Sequence, residues 1–346
     1  MSFCKDIKNN QILVSVIMCV YNTKIEYLLE AVNSILNQTH SNFELIIIDD
    51  CSNIDLFTDP VFLDKKIKIL RNNINKGPAY SRNKGLDVAK GKYIAVMDSD
   101  DISRPLRLER QVAFLENNPN VFALGTWFSF FGDKNHEVKR VIDDNDYYRC
   151  CLLFGNIPTL LNPSVMIRKD ALDSHCIRWN ESLRISEDYL MWVQLAECGV
   201  VTKYKEVLLD YRSHINQSTS KVNKKRLNSN SWIVKQYQLN KLGINATKKD
   251  TDLISCSKAK SLKQLRQINA FVDKIITANN HIKYYEPTKF EIRCNEYIYS
   301  LIQKATNPFL FLILFFSKKY RVAAFSAFKR KSKKILLLGK RNRLKE

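Results

Sequence analysis

The sequence lacks several features that would define its class at once. Its nine cysteines contain no C-x-x-C pair and no spacing typical of metal ligands, which argues against a zinc domain or a disulfide framework. Several of them lie within apolar runs, as small core residues do. The first ten residues are polar and a predicted strand follows directly, so we expect no signal peptide. These absences favour a reduced, cytoplasmic compartment.

No long apolar segment accompanies the basic C-terminal tail. The aromatic run 308–316 is shorter than the roughly 20 residues that cross a bilayer. Residues 318–346 contain twelve Lys or Arg and one acid, so they carry +11 of the chain's net charge of +20. This combination predicts a peripheral anchor on the anionic inner face of the cell membrane. A C-terminal helix that packs on the rest of the chain is the alternative. Because the charge is concentrated in the tail and does not stripe a folded face, we expect no nucleic-acid partner.

Polar and acidic residues follow three predicted strands. The apolar runs are 13–20, 43–48 and 93–97, and they end at Tyr21-Asn22, Asp49-Asp50 and Asp98-Ser99-Asp100-Asp101, respectively. Segments with helical periodicity separate the runs, which predicts an α/β fold with a parallel sheet. Since ligands of such sheets bind at the carboxyl ends of the strands, we expect these residues to line one edge.

The acidic tetrapeptide after the third of these runs predicts a metal site. Three carboxylates at one strand end repel one another unless positive charge lies among them. A divalent cation, Mg²⁺ or Mn²⁺, takes one or two carboxylate oxygens and leaves its other positions to phosphate and water. The alternative is an acidic turn that caps a helix starting near Pro105.

Five segments in order resemble the inverting family 2 glycosyltransferases with a GT-A fold. They are VSVIMCVYN, ELIIIDDCS, NKGPAYSRNKGL, YIAVMDSDD and SEDYLMW, within about residues 11–220. The resemblance implies a GT-A catalytic domain over 1–220. The change of character after it, to polar, basic and amphipathic segments, predicts a helical extension over 221–305, followed by the tail at 306–346. It also implies a nucleotide-sugar donor, most often a UDP-sugar, one divalent metal, and a glycan or polyprenyl-diphosphate-linked acceptor in surface polysaccharide synthesis.

The resemblance also assigns site residues. The nucleotide-binding residues it implies are Cys19, Val20, Tyr21, Asn22, Asp50, Gly77, Arg82, Asp98 and Ser99. Those implied near the metal are Asp98, Asp100 and, from a Tyr-Arg-x-His segment, His214, for which an exposed loop position is the alternative. Cys19 stands where the family usually has proline, which makes the turn less rigid.

Asp188 is the catalytic base that the resemblance implies, and Glu187 is expected to position the acceptor or a loop. A carboxylate within reach of the acceptor hydroxyl is a sufficient general base. The alternative is ordinary helix capping, because Ser186 is a plausible N-cap and Asp188 a first-turn acid. Two other functions remain open from the sequence: a sugar-nucleotide nucleotidyltransferase, although no Gly-rich loop follows the first strand, and a basic binding protein.

Overall fold

The structure, a computed structural model, describes residues 11–53, 57–139, 141–155, 160–183, 185–214 and 224–304. The chain divides into two units, and each is considered over its described residues only. The first unit comprises Met1–Asn145 and Pro158–Ser231, and the second comprises Asp146–Ile157 and Trp232–Glu346.

Four parallel strands form the N-terminal part of the first unit's sheet, in the order β3-β2-β1-β4. The strands are β1 (Val14–Val20), β2 (Phe43–Asp49), β3 (Ile67–Arg71) and β4 (Tyr93–Asp98). Helix α1 (Ile25–Leu36) follows β1, and α2 (Pro78–Val88) follows β3. Strands β1 and β4 are buried almost throughout, as the uninterrupted apolar runs predict for strands covered on both faces.

The rest of the sheet is mixed and continues as β4-β8-β6-β9-β5, with β7 beside β6. These strands are β5 (Ile102–Ser103), β6 (Val121–Gly132), β7 (His136–Val138), β8 (Met166–Arg168) and β9 (Val200–Ser213). The helices between them are α3 (Arg107–Asn117), α4 (Asn145–Phe154), α5 (Lys169–Ser174) and α6 (Glu187–Cys198). β8 pairs antiparallel with β4 and β6, whereas β6 and β9 are parallel. The α/β class expected from the sequence is confirmed.

The second unit is helical. It contains most of α4 (Asn145–Phe154), and α7 (Lys224–Lys241), α8 (Lys248–Leu253), α9 (Leu262–Ile282) and α10 (Pro287–Gln303), with α7 beginning in the first unit. Its hydrophobic core includes Phe154 from α4 and Phe290 from α10. The second unit therefore contains residues that precede position 221, where the sequence predicts the helical extension to begin. None of the helices within the described ranges is both long and apolar enough to cross a membrane. The predicted anchor at 306–346 lies outside the described residues.

Candidate active site

The carboxyl ends of β1, β2 and β4 meet at one edge of the sheet. In the β1–β4 pair Cys19 lies opposite Asp98, and in the β1–β2 pair Val20 lies opposite Asp49. The side chains that the sequence placed at strand ends are therefore neighbours in space.

The turn after β1 is held against the loop after β2. Asn22 has a left-handed backbone (φ 50°). Its main-chain amide donates to Ser52 Oγ at 3.0 Å, and its side-chain Oδ1 accepts from the main-chain amide of Asn53 at 2.8 Å. Tyr21 is 51% exposed beside this turn. The turn is thus preorganised with an exposed aromatic ring, which suits the nucleotide-base role expected for Cys19–Asn22.

Asp50 supports the loop that leads into α2. Its carboxylate accepts hydrogen bonds from Asn72 Nδ2 (2.8 Å) and from the amides of Lys76 (2.9 Å) and Gly77 (2.7 Å). Gly77 has φ 91°, a backbone conformation that residues other than glycine rarely adopt. Because three donors already occupy the nearly buried Asp50 carboxylate, its role in positioning this loop is established by geometry, and contact with a nucleotide base stays a prediction.

Cys19 is an unreactive thiol. Its Sγ lies 4.0 Å from the carbonyl oxygen of Pro78, and burial raises its pKa to about 12, although Arg82 opposes the shift. A thiol with this pKa stays protonated near neutral pH, so Cys19 offers bulk and its main-chain groups at the site rather than a nucleophile.

Every residue of the Asp98–Asp101 turn is held by another part of the first unit. Ser99 Oγ is 2.6 Å from Thr23 Oγ1, after β1. Asp100 Oδ2 is 2.9 Å from His214 Nε2, just after β9. Asp101 Oδ1 accepts from the amide of Arg212 at 2.9 Å. The acidic tetrapeptide is therefore a fixed constellation, and the structure brings His214 to it as the resemblance implied.

Arg212 is an organising residue that the sequence did not single out. Its Nε donates to the carbonyl oxygen of Asp100 at 2.7 Å, and its other end donates to Glu30 on α1. The guanidinium also lies between two aromatic rings, 4.1 Å from the centroid of Tyr27 and 4.4 Å from that of Phe131. A planar guanidinium can stack and donate in this way, and an ammonium cannot. The only sequence signal was the position of Arg212 inside the Tyr-Arg-x-His segment.

The crowded carboxylates fit a divalent cation whose shell is completed by ligand oxygens. Burial raises the pKa of Asp98 to about 6, with Arg82 opposing and Asp100 adding to the shift. Buried Asp101 has one oxygen, Oδ2, without a partner in the part of the chain that the structure describes. No group of three or more His, Cys, Asp or Glu within that part could hold a metal ion by itself. Asp98 and Asp100 would accordingly supply part of a coordination shell, as is usual for Mg²⁺ at phosphate sites.

Arg82 joins the strand end to the acidic helix start. Its Nη1 donates to Glu187 Oε1 at 2.7 Å, and its Nη2 donates to Asp98 Oδ1 at 3.4 Å. Burial disfavours its charge, but the Glu187 and Asp98 carboxylates outweigh burial and keep its pKa above the usual value. The sequence predicted that Arg82 adds positive charge beside the nucleotide phosphates. In the structure two carboxylates balance that charge, so its net contribution to a phosphate is reduced.

Asp188 lies in the first turn of α6, two positions after a strained residue. Ser186, the predicted N-cap, has φ 71° and makes no side-chain capping hydrogen bond. Asp188 Oδ1 does accept from the main-chain amide of Tyr189 at 2.7 Å, so the capping alternative loses only its Ser186 part. Non-glycine residues in this conformation cost of order 1 kcal/mol and cluster at functional sites. Burial, with the adjacent Glu187 carboxylate, raises the pKa of half-buried Asp188 to about 7. A carboxylate with this pKa can accept a proton near neutral pH.

Glu187 is engaged by a partner inside the protein. Its side chain is 10% exposed and is paired with Arg82. An ion pair this buried positions α6, because releasing Glu187 toward an acceptor would leave Arg82 only its longer contact with Asp98. The expected acceptor contact of Glu187 therefore has to compete with an internal partner.

Comparisons with known proteins place this geometry in a known context. The family model described as "Glycosyl transferase family 2" matches residues 15–176. An uncharacterized glycosyltransferase of Haemophilus influenzae is 33% identical over 250 residues, covering 67% of this chain and 76% of that protein. The O-antigen biosynthesis glycosyltransferase WbnJ of Escherichia coli is 34% identical over 223 residues, covering 60% of this chain and 82% of WbnJ.

A solved structure has the same fold over most of its length. The crystal structure of S. aureus TarS 1–349 in complex with UDP-GlcNAc aligns with a TM-score of 0.56 at 17% identity, and the alignment covers 92% of each chain. At this identity the likeness shows the fold alone.

Proposed function

This chain belongs to glycosyl transferase family 2, and on that premise we propose that it moves one sugar from a UDP-sugar to a hydroxyl group of a glycan acceptor, with inversion at the anomeric carbon. The observation that carries the proposal is the chain of contacts from Asp98 through Arg82 to Glu187, the neighbour of Asp188. These contacts connect the end of β4, which carries the proposed metal ligands, with the start of α6, which carries the proposed base.

Asp188 is the proposed general base. In its ionised form it takes the proton of the acceptor hydroxyl while that oxygen attacks the anomeric carbon, and the bond from that carbon to the UDP oxygen breaks. A pKa of about 7 makes this carboxylate a stronger base than an ordinary aspartate and leaves it largely ionised above neutral pH. The Arg82–Glu187 pair keeps the start of α6 in place during this step.

Asp98 and Asp100 are the proposed ligands of Mn²⁺ or Mg²⁺, with His214 held beside them by its contact with Asp100. When bound, such a cation neutralises the charge that develops on the leaving diphosphate. Arg212 contributes by fixing the main chain of Asp100, so that the carboxylates keep their spacing when a nucleotide enters.

Two comparisons support the donor and the pathway. TarS shares the fold and its crystal structure contains UDP-GlcNAc, which supports a UDP-sugar donor. WbnJ is named for O-antigen biosynthesis, which supports a role in bacterial surface polysaccharide synthesis on a glycan or polyprenyl-diphosphate-linked acceptor. With this acceptor, the basic tail at 306–346 would hold the enzyme at the inner face of the membrane.

A transfer assay tests the proposal. Purified protein is incubated with Mn²⁺, a panel of UDP-sugars and glycan acceptors, and UDP release and glycosylated product are measured. We expect product with at least one donor, dependent on metal and abolished by Asp188→Asn. Asp87→Ala is the matched control, since Asp87 is an exposed aspartate on α2. Failure of all UDP-sugars to bind or react would contradict the proposal.

A further inference from the structure

The side-chain amide of Asn162 is buried without partners. Asn162 begins a 3-10 turn, Asn162–Ser164, just before β8. The residue is 7% exposed, and within the described ranges neither Oδ1 nor Nδ2 has a hydrogen-bond partner. Because buried polar atoms are almost always hydrogen-bonded in native proteins, an amide with both ends unpaired points to a partner other than the described residues.

Asn162 lies beside the carboxyl end of β4. In the antiparallel β4–β8 pair, Ala95 lies opposite Met166, and the ladder continues with the amide of Val96 donating to Val165 O at 2.9 Å. The 3-10 turn at Asn162–Ser164 then leaves the ladder and packs against β4. The unpaired amide is thus at the same edge of the sheet as the proposed metal ligands.

The main chain around Asn162 is firmly held. Arg107 donates to the carbonyl oxygen of Pro163 and, at 3.0 Å, to that of Val96. Gln111 Nε2 donates to the carbonyl oxygen of Ser164 at 3.0 Å. A loosely packed loop therefore does not account for the missing partners of the Asn162 amide.

Other side-chain amides near the site have hydrogen-bond partners within the chain. Asn83 Nδ2 donates to Trp179 O at 2.8 Å, and its Oδ1 accepts from Trp179 N at 3.0 Å. Asn72 Nδ2 donates to Asp50 and Ser81. Asn162 has the same chemistry at the same edge, but its donor and acceptor remain available.

We propose that the Asn162 amide binds a sugar in the active site, donating to one hydroxyl or acetamido oxygen and accepting from a neighbouring hydroxyl. This rests on the proposed function. Its place in a turn that packs against β4, the strand that ends at Asp98, favours the sugar of the donor over that of the acceptor. Both amide atoms are buried, so the contact requires the Asn162 side chain to turn toward the sugar when it binds.

The test replaces the amide with a side chain of similar size that cannot hydrogen-bond. In Asn162→Leu we expect UDP affinity with Mn²⁺ to be unchanged, while kcat/KM for UDP-GlcNAc or the best UDP-sugar of the panel falls about 10- to 100-fold, the effect of losing one or two hydrogen bonds. Asn162→Ser, smaller and still polar, is measured alongside in case the leucine variant does not fold. Asn295→Leu is the matched control, because Asn295 Oδ1 is also unpaired among the described residues but lies on α10 in the second unit.

The kinetic pattern separates the possible sugars. Loss of donor hydrolysis in the absence of acceptor supports the donor sugar, and an increase only in the acceptor KM supports sugar binding but assigns it to the acceptor. Unchanged kinetics in folded Asn162 variants of an active enzyme would overturn the inference and leave the proposed function standing. An inactive wild-type protein would instead count against the proposed function.

Discussion

Arg82 on α2 and Glu187 on α6 form a buried ion pair, with Nη1 and Oε1 2.7 Å apart. They are 105 positions apart in the chain, and the same guanidinium also reaches Asp98 at 3.4 Å. The pair therefore fixes the position of the base helix relative to the strand that carries the metal-ligand candidates. It also places a negative charge next to Asp188, which helps to raise the pKa of that carboxyl.

The first prediction concerns this neighbouring charge. Glu187→Gln keeps an oxygen that can accept from Arg82 but removes the charge, so the pKa of Asp188 should fall. Since the base must be ionised, the acid limb of the kcat–pH profile should move to lower pH than in the wild type. An unshifted limb in a folded, active variant would mean that Glu187 does not set the protonation of the base. Glu181→Gln is the control, because Glu181 is exposed and accepts a hydrogen bond from Asn83 instead of from Arg82.

The second prediction concerns the metal. Asp100→Ala should abolish transfer and the Mn²⁺-dependent part of UDP affinity, because it removes an expected ligand and the partner of His214. Asp98→Ala should weaken both. Isothermal titration of UDP with Mn²⁺ and with EDTA measures the difference, and Asp87→Ala should behave as wild type. Full metal-dependent affinity in Asp100→Ala would remove this residue from the site.

The strand ends were predictable because their signals are local. An apolar run followed directly by acids defines β2 and β4 and their functional ends without reference to the rest of the chain. The Arg82–Glu187 pair and the burial of Arg212 depend on residues brought together by the fold. The local sequence also does not show where β8 begins. The structure has a 3-10 turn at Asn162–Ser164 before it, because Pro163 cannot donate to a ladder.

The third prediction tests the organising role of Arg212. Arg212→Lys keeps a positive charge but cannot stack between Tyr27 and Phe131 while donating to both Asp100 and Glu30. We expect the variant to fold, to bind UDP normally in EDTA and to lose about tenfold in Mn²⁺-dependent UDP affinity, the worth of one charge-assisted hydrogen bond. Arg104→Lys, which alters the half-exposed pair with Asp210, is the control. If the Arg212 and Arg104 variants bound UDP with equal affinity in the presence of Mn²⁺, the organising role of Arg212 would be contradicted.

The fourth prediction concerns the basic tail. Deletion of residues 306–346 removes the twelve Lys and Arg of 318–346, each worth about 1 kcal/mol near an anionic surface. The shortened protein should no longer sediment with anionic vesicles at moderate salt and should keep its activity on a soluble acceptor. Continued sedimentation would place the anchor elsewhere, and unfolding would show that the tail packs on the chain.

The fifth prediction concerns the stability of the Asp188 site. The folded pKa of about 7 lies above the unfolded value of about 3.9, so the native state holds this proton more tightly, and stability falls as pH rises between these values. Asp188→Asn removes the ionisable group and should melt higher than wild type at pH 8, with a smaller difference near pH 4. A helix-capping aspartate would behave in the opposite way, since its loss costs about 0.3–1 kcal/mol.

Turnover of the same variant tests the central claim, that Asp188 is the base of a glycosyl transfer. Asp188→Asn keeps the size of the side chain but cannot take the acceptor proton, so kcat should fall by about 10²–10⁴ while UDP-sugar affinity changes little. The measurement is kcat and UDP-sugar affinity for Asp188→Asn beside Glu187→Gln, under identical conditions. Near-normal kcat in folded Asp188→Asn, or a larger loss in Glu187→Gln, would contradict the account.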